Sequence, residues 1–134
     1  MKWKSIVKVV TFMFITLMIL AGCASTPKRT TKSPEVTFEQ PVLEVRKAAI
    51  GAFVVLGFDI KKEEEFYIEG SRPRKSGLFT SSGGETVGIW LDTVKEDGTR
   101  VTVSTARSLY GIAGQKIWDN DIIAEMENSL KEKQ

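Results

Sequence analysis

Hydrophobic and polar positions alternate along this chain in a way that separates a leader, a polar stretch and a folded unit. Twelve uncharged residues from Val9 to Leu20 (VVTFMFITLMIL) follow three early lysines, Lys2, Lys4 and Lys8. That run is shorter than the roughly 20 apolar residues a spanning helix needs, and it reads as the core of a removable secretory leader over residues 1–22. Residues 24 to 37, rich in Ser, Thr, Pro and Lys, carry little that a core can bury. Such a composition predicts a flexible tether over residues 23–37.

From residue 38 to 134 the pattern becomes that of a small domain. Val42, Val45, Ala49, Phe53 and Leu56 recur at helical spacing after Pro41, with Glu44, Arg46 and Lys47 opposite. The spacing predicts a helix that starts near the proline and closes at Gly57, where a left-handed residue lets Phe58 fold back across the end. A strand around Phe58 to Ile60, a charged turn at Lys61 to Glu65 and a second strand from Phe66 to Arg72 come next. Residues 71–84 then form a long loop, of the kind that is either functional or disordered. Val87, Ile89 and Leu91 alternate in a third strand, and Lys95-Glu96-Asp97-Gly98 supplies a hairpin turn. A fourth strand follows to Ala106, with Val101 and Val103 inward and Thr102 and Ser104 outward. The closing helix presents Trp118, Ile122, Met126 and Leu130 on one face, and Asp119 sits at its start.

The expected order is therefore α-β-β-β-β-α. We expect an α+β two-layer sandwich, in which one four-stranded antiparallel sheet carries both helices on one face. The other sheet face is expected to be partly wet, unless something covers it at Tyr67 and Trp90.

Composition changes one point. The chain has 19 basic and 17 acidic residues, a net charge of +2, and no histidine. Cleavage before Cys23 removes three lysines and no acid, which leaves 112 residues and a net charge of −1. The basicity belongs to the leader, so nucleic-acid binding is not expected.

Cys23, the only cysteine, directly follows Leu20-Ala21-Gly22. This tetrapeptide resembles the lipobox of bacterial lipoprotein signals. The resemblance implies transfer of a diacylglyceryl group to the Cys23 sulfur, cleavage between Gly22 and Cys23, and acylation of the new amino terminus, commonly with palmitate. The competing readings are an ordinary buried cysteine or a leader cut elsewhere by the general signal peptidase. In the enterobacterial pattern, a residue other than aspartate after the cysteine, here Ala24, implies the outer membrane, with the domain facing the periplasm. The domain also resembles small uncharacterised bacterial lipoproteins over AAIGAFVVLGFDI, TVGIWLDTV, TRVTVSTA and DIIAEMENSL, and more remotely the helix-grip domains of outer-membrane assembly lipoproteins. These similarities imply a binding or scaffold role at the membrane, with another envelope protein as a candidate partner.

Candidate chemistry is sparse. With no histidine, and with the cysteine committed to lipid, triads and dyads built on those side chains are excluded, and no enzyme activity is expected. Glu63, Glu64 and Glu65 read as a solvated turn. Asp119 and Asp121 beside Asn120 fall short of a calcium loop, which needs more acids and a distal glutamate. No metal and no cofactor are expected beyond the lipid on Cys23. Arg72, Arg74 and Lys75 form a candidate contact for an anionic partner, against the plainer reading of a solvated loop edge. The alternative to a binding module is a small-ligand carrier, or an enzyme using carboxylates in a pocket between helices and sheet.

Overall fold

A computed structural model describes residues 2–20, 26–76, 81–107 and 115–134. The fold is α+β, with three helices and a five-stranded antiparallel sheet. Helix α1 (Lys2–Leu20) occupies the leader, and its described side chains are exposed. No helix among the described residues is long and apolar enough to cross a membrane.

The remaining elements are β1 (Glu35–Phe38), α2 (Val42–Val55), β2 (Asp59–Glu63), β3 (Tyr67–Ser71), β4 (Lys75–Ser76), β5 (Ser81–Ser82), β6 (Thr86–Lys95), β7 (Gly98–Ala106) and α3 (Asp119–Lys131). The sheet runs β1-β7-β6-β3-β2, while β4 and β5 form a separate two-stranded ribbon inside the 71–84 connection.

The expected sheet of four strands is corrected to five, and a leader helix joins the two domain helices. The added strand, β1, lies within the stretch whose polar composition predicts a tether. Val36 and Phe38 alternate there with Glu35 and Thr37, and β1 pairs with β7 from Glu35↔Thr102 to Phe38↔Thr99. Four ladder positions and a buried Phe38 outweigh the disorder-prone composition just upstream.

Helices α2 and α3 pack against each other and cover one sheet face. Val45, Ala49 and Phe53 of α2 and Ile122 and Met126 of α3 meet Ile68, Val87, Ile89, Leu91, Val101 and Val103 in one fully buried layer. Pro41 stands just outside α2, and its carbonyl accepts from the Glu44 and Val45 amides at 3.0 and 3.2 Å. At the other end Gly57 has φ +79°. The Gly57 amide donates to Val54 O at 3.2 Å and the Phe58 amide to Phe53 O at 2.8 Å, a Schellman closure. The rings of Phe53 and Phe58 meet at 5.3 Å between centroids, so the same motif ends the helix and fills the core. Gly70 lets Phe53 lie on β3, since a Cβ there would stand 3.1 Å from the Phe53 ring.

Candidate functional site

The outer face of the sheet carries Tyr67 and Glu69 on β3, Gly88, Trp90 and Asp92 on β6, and Arg100 and Thr102 on β7, as the register places them. This face is not bare. Residues 27–34 cross it as a strap before turning into β1.

Pro27 is buried against Gly88 and Trp90. A Cβ on Gly88 would stand 3.0 Å from Pro27 Cβ and 2.8 Å from Trp90 Cη2. The strand's lone glycine at this level is therefore the space in which the proline and the indole sit. Two residues on, both Arg29 guanidinium nitrogens Nη1 and Nη2 donate to the two carboxylate oxygens of Asp92, the Nη1 to Oδ1 bond being 3.2 Å. Arg100 Nε approaches the same carboxylate at 3.6 Å. The hydrogen bond from Arg29, with the charges of Arg29 and Arg100 beside it, outweighs the cost of partial burial and holds the Asp92 carboxyl below the usual carboxylate range.

A tight turn then reverses the chain. The Ser33 amide donates to Thr30 O at 3.1 Å, and the Thr30 amide donates to Ser33 Oγ at 3.0 Å. The Val103 amide donates to Pro34 O at 3.1 Å, which delivers the chain into β1. Thr102, expected to face outward, does so, yet it is only 1% exposed.

Beyond the strap, Tyr67 and Trp90 stay half-exposed, with ring centroids 5.1 Å apart. Tyr67 Oη donates to Glu69 Oε2 at 2.6 Å, and Lys62 Nζ stands 5.6 Å from the Tyr67 ring. Burial, and then the hydrogen bond to Glu69, pushes the Tyr67 hydroxyl well above its ordinary range. The pair presents apolar rings with polar tips, an arrangement suited to a boundary between water and something less polar.

The second cluster lies at the base of the 71–84 connection. Arg72 and Lys116 approach the ring of Trp118, at 4.5 and 4.4 Å from its centre. Trp118 also packs edge-on against Phe58, with centroids 5.5 Å apart. Glu85 is fully buried beneath; its Oε1 accepts the Lys116 amide at 3.1 Å, and its Oε2 has no hydrogen-bond partner among the described residues. Gln115 Nε2 donates to Gly83 O at 3.1 Å, so two distant segments are stitched together at this corner.

Of the predicted anionic-partner residues, Arg72 belongs to this cation–aromatic group, a contact worth about 0.5–1 kcal/mol at an exposed site. Arg74 is exposed and lies beside Gly84, and Lys75 stands in the ribbon opposite Ser82. Lys116, which the sequence pattern does not single out, shares the Trp118 ring with Arg72. Gly22 and Cys23 lie outside the described residues.

Three of the candidate carboxylates sit in ordinary ion pairs. Glu63 accepts from Arg46 at 2.6 Å, Glu64 pairs with Lys62 at 3.0 Å and Asp121 with Lys116 at 3.0 Å. Asp119 Oδ1 accepts from Thr105 Oγ1 at 2.5 Å, while Thr105 Oγ1 accepts the Trp118 amide at 3.0 Å, which fixes the start of α3 to β7. Among the described residues no group of three or more His, Cys, Asp or Glu could hold a metal ion.

No family model matches the chain, and no curated protein matches it. Among solved structures it is similar to a conserved protein from Geobacillus kaustophilus, at 11% identity and a TM-score of 0.37, over 74% of this chain and 91% of that one.

Proposed function

We propose that this chain is a bacterial envelope lipoprotein, anchored through acyl chains on Cys23, whose domain is a non-enzymatic binding or scaffold module. In this reading residues 1–22 are removed, and the domain faces the periplasm from the outer membrane, as Ala24 after the cysteine favours. The observation that carries it is the leader itself: three lysines, an uncharged run of twelve, and then Leu20-Ala21-Gly22-Cys23 with the chain's one thiol at the required place. A thiolate can be alkylated to a stable thioether, and two or more acyl chains hold a protein firmly on a bilayer.

Two features of the fold support a module over a carrier or a carboxylate enzyme. The space between helices and sheet is filled by Phe53, Ile68, Ile89, Leu91, Ile122 and Met126. Leu43, Val54 and Val55 of α2 remain exposed, apolar positions on the helical layer that a protein partner would cover. The test is Cys23→Ser in the producing cell. Lipoprotein processing predicts accumulation of a larger, uncleaved form; a variant that matures and fractionates like the wild type would overturn the proposal.

A further inference from the structure

The strap fixes more than the sheet. Its buried Pro27 is only four residues beyond Cys23, and four extended residues span at most about 14 Å. A chain free up to β1 would have a reach of about 40 Å over the twelve residues to Glu35. Docking of Pro27 and Arg29 on the sheet therefore removes most of the slack between anchor and domain.

The short reach also selects a face. Pro27 sits on the outer surface of the sheet, and the opposite surface lies beyond a helical layer about 10–12 Å thick. A 14 Å tether starting from the outer surface cannot bring the helices to the bilayer without carrying the chain around the sheet. The outer surface is then the one held down. It displays Lys28, Arg29 and Lys32 of the strap, Arg100 and Lys62, all exposed, around the half-exposed rings of Tyr67 and Trp90. Asp92 on this face is already engaged by Arg29 and Arg100, and Glu69 by Tyr67. Arg29 and Arg100 are likewise held on Asp92, Lys62 pairs with Glu64, and the exposed Glu35 and Asp59 share this face by register. The cations of this face left without an ion pair among the described residues are Lys28 and Lys32 of the strap, the part nearest the anchor, and with the half-exposed rings they suit the headgroup region of an anionic bilayer.

We propose that the outer sheet face, with the 27–34 strap across it, is a membrane-docking surface that seats the domain flat on anionic phospholipid headgroups and turns α2 and α3 away from the bilayer. This inference rests on the lipid-anchor reading. Both are tested on the wild-type protein extracted from membranes and reconstituted into vesicles of phosphatidylethanolamine and phosphatidylglycerol, with detergent micelles as the reference. A membrane-impermeant amine reagent labels exposed lysines, and mass spectrometry reads each site and the Cys23 peptide together.

The expected result is a lipid-bearing Cys23, with labelling of Lys28 and Lys62 about fivefold lower in anionic vesicles than in micelles, and no change at Lys47 and Lys131 on the helices. Equal labelling of both sets in vesicles, with lipid on Cys23, would overturn the docked face and leave the anchor standing. Loss of labelling at Lys47 and Lys131 instead would put the wrong face down and also overturn it. An unmodified Cys23 would remove the anchor and the inference with it. As a second arm, Lys28→Glu with Lys32→Glu, both exposed residues, should return Lys62 labelling to its micelle level; continued protection would count against headgroup contact.

Discussion

Gly88→Val is the sharpest perturbation of the strap. The new Cβ would stand 2.8 Å from Trp90 Cη2 and 3.0 Å from Pro27 Cβ before its two methyl groups are added. Carbon atoms rest at about 3.5–4.0 Å, so both neighbours must retreat by about half an ångström or more. Overfilling a packed site costs about 1–3 kcal/mol. The sheet ladder cannot yield cheaply, because Gly88 lies on a central strand, opposite Glu69 on β3 and Ser104 on β7. Pro27 can yield, since beyond it the strap is held mainly by the exposed Arg29–Asp92 pair and the local turn. The cost therefore falls on strap docking. Cleavage that follows the open population should rise about 5- to 150-fold, at tenfold per 1.4 kcal/mol. The assay is limited trypsin digestion of the membrane-extracted protein, following cuts after Lys28, Arg29 and Lys32 against cuts in the domain. Unchanged cleavage at these three sites, with the thermal transition still cooperative, would refute the placement of Pro27 on Gly88.

The other predictions concern charge, helix closure and core. Because the native Asp92 carboxyl is held below its ordinary value, the Arg29–Asp92 contact adds stability in full above the ordinary carboxylate pKa of about 3.9. That contribution is lost as pH falls through the depressed native value; a carboxyl-carbon NMR titration of Asp92 should show a midpoint below about 3.9, and one at or above it would contradict the pairing. Gly57→Ala forces a side chain to φ +79° and should cost about 1–2 kcal/mol in denaturant unfolding, while Gly51→Ala, on a site with open space in the same helix, should be neutral or stabilising. Met126→Ala empties a fully buried position between α3 and the sheet and should cost about 2–5 kcal/mol; a loss below 1 kcal/mol would mean that the two layers are not packed there.

What the residues made legible was local. Phe53 to Phe58 read as a helix closing on glycine, and the hydrogen bonds from Gly57 and Phe58 have that form. Val87, Ile89 and Leu91 read as one strand face, and all three are buried. The β1 strand was present as the alternation of Val36 and Phe38, but the polar, proline-containing tract before it masked a signal only four residues long. The strap was not legible, because its partner Asp92 lies 63 residues from Arg29 and becomes available only through the β6–β7 register. Glycine in the middle of an alternating strand was the one clue, as it marks a close approach from outside the sheet. The surroundings of Arg72 were hidden for the same reason. Arg72 meets Lys116 on a tryptophan contributed by the other end of the domain, which no spacing along residues 72–75 encodes.

The functional account stands on the chemistry at one sulfur atom. Intact mass analysis of the amino-terminal peptide from membrane-extracted protein addresses it directly. The expected peptide begins at Cys23 and carries a diacylglyceryl thioether; a peptide that retains residues before Cys23, or one bearing a free thiol, would contradict the lipid anchor.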